Sequence, residues 1–177
     1  MSDRPTEKSL FSLAQIQHLM RVEFNRAQRY GYPIACLLLG IDRLSAVRDM
    51  HGYEAKEEVV NAVAELLRAA TRGSDFLGRL GDDRLLAVVP HTNVQGLGTM
   101  AKRIVEGGRT LRFDGDGRAV SVTLSIGGSY QEAGDGATPF FDALLQTAED
   151  ALFDAQNAGG DRVVLQRPGA ESGETLA

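Results

Sequence analysis

The run Ile34-Ala35-Cys36-Leu37-Leu38-Leu39-Gly40-Ile41 constrains this chain more than any other stretch. It carries no polar side chain, yet it is far shorter than the roughly 20 apolar residues that span a bilayer. An apolar run of this length reads as a buried strand, covered on both faces by other elements. Gly31 and Pro33 close whatever precedes it, and Asp42 and Arg43 end it.

The flanking segments supply the cover. Leu10, Leu13, Ile16, Leu19, Met20, Phe24 and Ala27 recur at helical spacing and predict a helix over 9–30. A short helical turn over 44–50 stops at Gly52, and helical spacing resumes over 54–70. Strands over 75–80 and 84–89 form a hairpin around Gly81-Asp82-Asp83. Asn93 caps a helix reaching about residue 106. A strand at 111–113, the turn Asp114-Gly115-Asp116-Gly117 and a strand at 120–130 read as a second hairpin. A glycine-rich loop over 131–138 leads to Pro139, which opens a helix to 158, and 162–165 is a final strand. The order αβααββαββαβ gives an α/β (α+β mixed) fold: a central, mostly antiparallel five-stranded sheet with helices on both faces. Residues 1–20 read as an N-terminal extension with the start of the first helix, 21–165 as the domain, and 166–177 as a disordered tail.

Composition excludes several classes. The 177 residues are 43% hydrophobic and 24% charged, with a formal charge of -5, as in an ordinary soluble globule. That balance gives no general pull toward nucleic acid or an anionic membrane. The polar start MSDRPTEKS is not a signal peptide, so a cytoplasmic location is expected. The single cysteine, Cys36, lies inside the apolar run and reads as buried and inert. His18, His51 and His91 lack metal-ligand spacing, and the turn at Asp114 lacks the downstream glutamate of a calcium loop. No metal site and no cofactor are expected.

Several motifs in order narrow the reading. The helix end Arg26-Ala27-Gln28-Arg29-Tyr30-Gly31 leads into the strand ending Leu38-Leu39-Gly40-Ile41-Asp42. The hairpin Gly81-Asp82-Asp83-Arg84-Leu85 follows, then Val122-Thr123-Leu124-Ser125-Ile126-Gly127, then a helix with Ala148, Ala151, Leu152, Phe153 and Ala155. This set resembles the GGDEF domains, the diguanylate cyclases that condense two GTP into cyclic di-GMP. The resemblance covers about 21–165 and implies a nucleotide-cyclase-like version of the fold above.

What the resemblance implies for chemistry is residue-specific. In the family, divalent metals are held by an Asp ending the first strand and by the acidic third residue of the hairpin signature. The first position is Gly40 here and the second is Asp83, while Asp42 matches the acid that is not the main metal ligand. The second signature glycine is Asp82, the signature Glu is Arg84 and the signature Phe is Leu85. Arg48 and Glu57 stand for the guanine-reading Asn and Asp, and arginine has donors only. Ser45, Gln156 and Gly160 stand for cationic phosphate contacts, and Ser12-Leu13-Ala14 for an Asn-Arg-Arg segment. The expectation from these differences is that the chain is not an enzyme, with Gly81, Asp82, Asp83, Arg84 and Leu85 as a remnant active site.

Upstream, Arg72-Gly73-Ser74-Asp75 is separated from Gly81 by residues 76–80. The resemblance implies an RxxD allosteric site for an intercalated dimer of cyclic di-GMP. An arginine fork donates in parallel to guanine or phosphate, and an aspartate accepts from guanine donors. Arg103 matches a second arginine that completes such sites, often across a dimer, and Arg79 adds charge nearby. An RxxD pair at a helix end also occurs as a plain ion pair worth about 0.2–1 kcal/mol. The expected function is a non-catalytic cyclic di-GMP receptor using Arg72, Asp75, Arg103 and Arg79. It signals to a protein partner, with a homodimer joined through the ligand. A protein-interaction scaffold that binds no nucleotide is the alternative, and a GTP-binding domain or residual cyclase is the third reading.

Overall fold

The computed structural model describes residues 10–115, 117–133 and 141–176. Residues 1–9 of the extension expected over 1–20, the turn residue Asp116, most of the glycine-rich loop and the helix start at Pro139 lie outside the described residues. Helix α1 spans Leu13–Tyr30, and its Ser12 cap forms a reciprocal box with Gln15. The apolar run is strand β1, Ile34–Ile41, buried along its whole length. Helices α2 (Leu44–His51) and α3 (Tyr53–Ala70) follow, then strands β2 (Phe76–Arg79) and β3 (Leu85–Pro90) and helix α4 (Val94–Thr110). Strands β4 (Phe113–Gly115), β5 (Arg118–Val120) and β6 (Leu124–Gln131) precede helix α5 (Phe141–Asn157) and strands β7 (Arg162–Gln166) and β8 (Glu174–Leu176).

Among the described residues the main sheet has six strands in the order β2-β3-β1-β6-β7-β8. Only the β6–β7 pairing is parallel. The alternation of β1 explains its composition. Ala35, Leu37, Leu39 and Ile41 pack with α3 and α4 on one face, whereas Ile34, Cys36 and Leu38 pack with α1 and α5 on the other. At Gly127 an added Cβ would lie 2.2 Å from the Ala148 carbonyl oxygen, so α5 rests directly on the backbone of β6.

Two expectations change. The second hairpin is really a separate two-stranded ribbon, β4–β5, and β6 starts afresh in the main sheet. Val122 turns into the core between them, and the Thr123 carbonyl accepts from Asp42 N, which together break the strand. The tail expected to be disordered instead contributes β8, paired antiparallel with β7 through Val163–Leu176 to Leu165–Glu174. The sheet therefore has six strands where five were expected, because Leu176 covers the apolar surface left by Gly98 on α4.

Candidate functional site

The β2–β3 hairpin tip closes through two backbone bonds, Leu80 N to Arg84 O at 2.8 Å and Asp83 N to Leu80 O at 3.1 Å. Asp83 adopts a φ of +66°, a left-handed conformation that aspartate tolerates better than most residues. That turn aims the Asp83 carboxylate at the N-terminal part of α3. There Lys56 Nζ donates to Asp83 Oδ2 at 2.8 Å and lies 2.9 Å from Glu57 Oε1. Arg79, from β2, grips Glu57 with both terminal nitrogens at 2.7 and 3.1 Å and reaches Asp83 Oδ1 at 2.6 Å. Two cations and two carboxylates form one closed cluster.

Electrostatics follow the contacts. Hydrogen bonds from Arg79, then Lys56, pull Glu57 down to about 2. Burial pushes Asp83 up, but the bonds from Lys56 and Arg79 outweigh it and hold the carboxyl below its usual range. The bonds to Asp83, then Glu57, raise Lys56, so the ammonium stays charged. Sequence reasoning gave Lys56 no role. The signal available was a lysine beside an acid in a helix start, too common to single out. Its burial to 8% exposure is the informative fact, since lysines are almost never buried unpaired.

The neighbouring positions are also engaged. Arg84 Nε donates to Asp82 Oδ2 at 2.6 Å, and its guanidinium reaches toward Glu149 of α5 at 3.8 Å. Leu85 is fully buried as the first residue of β3. Arg48 is exposed and lies 3.6 Å from Asp49. An added Cβ at Gly40 would meet Gln156 Nε2 at 2.8 Å, so the Gln156 amide covers the place where a side chain on residue 40 would begin. Asp42 is structural: its oxygens accept from Thr123 Oγ1, Ser125 Oγ and Asp161 N at 2.7, 2.7 and 2.9 Å. The carboxylate thereby ties the end of β1 to both β6 and β7.

A family resemblance implies divalent metals at this face, and the donors do not fit one. Gly40 offers no side-chain ligand, the Asp42 oxygens serve the fold, and both Asp83 oxygens accept from cationic nitrogens. Mg²⁺ asks for near-octahedral oxygen ligation. Among the described residues no group of three or more His, Cys, Asp or Glu is arranged to hold a metal ion.

At the other end of β3 the arrangement is open. Arg72 lies near the start of the α3–β2 link, and its Nη2 donates to Pro90 O at 3.3 Å and to Thr92 Oγ1. Asp75 Oδ2 accepts from Arg72 N at 2.7 Å, and Asp75 N donates to Arg72 O at 3.0 Å. A cavity of about 450 Å³ lies between this turn and α4, lined by Arg72, His91, Asn93, Thr99, Met100 and Arg103 among others. The structure thus brings Arg72 and Arg103 together. Asp75 and Arg79 do not line the cavity. Asp75 is 2% exposed and points into its own turn, where its carboxylate holds the Arg72 backbone. Arg79 faces the hairpin cluster. His91, which sequence reasoning excluded only as a metal ligand, is exposed, lines the cavity and stacks on Tyr32 with ring centroids 3.8 Å apart.

Among the described residues no helix is long and apolar enough to cross a membrane. The model of the family described as "Diguanylate cyclase, GGDEF domain" matches residues 9–162. The probable diguanylate cyclase DgcC of Escherichia coli is 26% identical over 162 residues, covering 92% of this chain and 43% of that protein. The chain therefore spans less than half the length of this relative. The diguanylate cyclase SiaD of Pseudomonas aeruginosa, solved in complex with its activator SiaC, superposes with a TM-score of 0.81 and 27% identity over 90% of this chain and 60% of that one. The GGDEF domain of DgcB from Caulobacter crescentus, solved in complex with c-di-GMP, gives a TM-score of 0.82 over 93% of this chain and 97% of that one. At 18% identity this likeness concerns the fold alone.

These matches overturn the expectation that the chain is not an enzyme. The matching family model is that of a diguanylate cyclase domain, and the named relatives are diguanylate cyclases. The residues at Gly40, Arg48, Asp82, Arg84, Gln156 and Gly160 differ from the family pattern without establishing a loss of activity.

Proposed function

Because the chain belongs to the diguanylate cyclase, GGDEF domain family, we propose that it works in cyclic di-GMP signalling and binds cyclic di-GMP in the cavity between Arg72 and Arg103. The observation that carries this reading is the convergence of two guanidinium groups from separate elements on one cavity of about 450 Å³. That volume falls within the usual range for small-molecule sites. Planar guanidinium forks suit both phosphate oxygens and the O6 and N7 acceptors of guanine. Asp75 closes the turn that presents Arg72, and the His91 ring, backed by Tyr32, offers an aromatic face at the rim. Ligand held there bridges to a second protomer or stiffens the α4 edge for a protein partner. The activity to be sought at the hairpin face is the diguanylate cyclase activity of the named relatives, since the family match favours it.

Isothermal titration with cyclic di-GMP tests the first part. Arg72→Ala and Arg103→Ala are each expected to weaken binding by about tenfold or more, the loss of a charge-assisted pair. Affinity equal to that of the unmodified protein in both variants would remove this site. Incubation with GTP and Mg²⁺, with the products separated chromatographically, tests the second part. Cyclic di-GMP formation supports the cyclase reading, and unchanged GTP from a folded sample counts against it.

A further inference from the structure

The hairpin cluster carries an inference about which cation stands there. We propose that Lys56 is the resident counter-ion of the hairpin face, holding Asp83 and Glu57 in place of a divalent cation. The unliganded domain then takes up no divalent metal at Asp83 while Lys56 remains.

Three observations lead to this. The Lys56 ammonium bridges two carboxylates at 2.8 and 2.9 Å, close to ideal charge-assisted distances. Its side chain is only 10% exposed and lies 4.6 Å from the centroid of the Tyr53 ring, so it is packed in place and is not a mobile surface cation. Arg79 takes the remaining oxygen of Asp83 at 2.6 Å and the second oxygen of Glu57 at 3.1 Å. Every carboxylate oxygen in the cluster therefore faces a fixed positive charge. A divalent ion approaching Asp83 meets an ammonium and a guanidinium before it meets a lone pair. The two carboxylates are balanced by the two cations, so no net negative charge is left to draw a metal in.

This inference concerns the hairpin end of β3, away from the cyclic di-GMP pocket at its other end, and does not depend on it. Titration of the purified protein with Mn²⁺, followed by the electron paramagnetic resonance signal of the free ion, tests it directly. The unmodified protein is expected to leave Mn²⁺ free up to about 1 mM, the weak end of the affinities of natural divalent-cation modules. Lys56→Met removes the ammonium and keeps the packing. It is expected to gain one Mn²⁺ per protomer with affinity at least about tenfold tighter. Lys56→Met/Asp83→Asn is expected to lose that site again, with asparagine keeping the left-handed turn. Mn²⁺ uptake by the unmodified protein that Asp83→Asn abolishes would overturn the proposal, whether or not the Lys56 variant folds. A folded Lys56→Met protein with no gain in Mn²⁺ affinity would also overturn it. Cyclic di-GMP titration of the same samples separates the two readings, since the Lys56 changes should leave that affinity unaltered.

Discussion

The two ends of the β3 strand hold arginines in opposite circumstances. At the hairpin, Arg79 is locked between Glu57 and Asp83, with Lys56 completing a closed set of charges. At the far end, Arg72 donates to the neutral oxygens of Pro90 and Thr92, and Arg103 is exposed, with both bordering open space. The first arrangement spends its charges on the fold. The second leaves guanidinium surface facing a cavity. An arginine near a motif therefore says little until its partners are known, which is why Arg79 and Arg72 part company here although a single strand separates them.

The contrast breaks most visibly under truncation. Arg79→Ala leaves Glu57 and Asp83 sharing the single Lys56 cation in a part-buried place. Removing one partner of a buried pair costs about 3–5 kcal/mol, and partial exposure lowers that here to about 2–3 kcal/mol. Arg103→Ala removes an exposed side chain and is expected to change stability by less than about 0.5 kcal/mol. Urea unfolding of both variants reads the difference. Equal losses would mean that the two ends do not differ as described.

Much of this fold is legible in the sequence, and the reasons are physical. The strand β1 has the expected bounds because an eight-residue apolar run has only one way to be buried on both faces. Helix α4 runs four residues beyond the expected end, to Thr110, since Gly107 and Gly108 lower helix propensity but here pack against Leu66 and Leu124. Strand β8 was unreadable because its stability comes from β7 and not from its own polar sequence. The site divides in the same way. The Arg72–Arg103 meeting follows from the resemblance, whereas the placing of Asp75, Arg79 and Lys56 depends on side-chain partners that spacing does not encode.

Asp75 sharpens the comparison from the other side. Its carboxylate is buried and accepts from the Arg72 backbone, so Asp75→Ala should act on the fold first and on the ligand second. Loss of that charge-assisted bond is expected to cost about 1–3 kcal/mol in unfolding experiments. If cyclic di-GMP binds, the variant should bind it more weakly because Arg72 is less well held. A variant with unchanged stability and abolished binding would instead return Asp75 to direct contact with the ligand.

The smallest effect expected is a pH dependence, and its sign is fixed by the cluster. Glu57 lies at about 2 in the folded protein, below its ordinary 4.5, because Arg79 and Lys56 favour its charged form. A carboxyl lowered on folding contributes stability above its unfolded value and loses it as pH falls through the folded one. The contribution of Glu57 is therefore complete above about 4.5 and fades toward 2. Asp83 is lowered as well and acts in the same direction, whereas Lys56 is raised and makes its loss only in alkali. Thermal unfolding of Glu57→Gln should thus show a shallower acid limb than the unmodified protein across that window, by up to one proton, with the Asp83 share remaining. Parallel acid limbs would mean that the Glu57–Arg79 pair does not persist in solution, and the closed hairpin face would then be as open to ligands as the pocket at the other end.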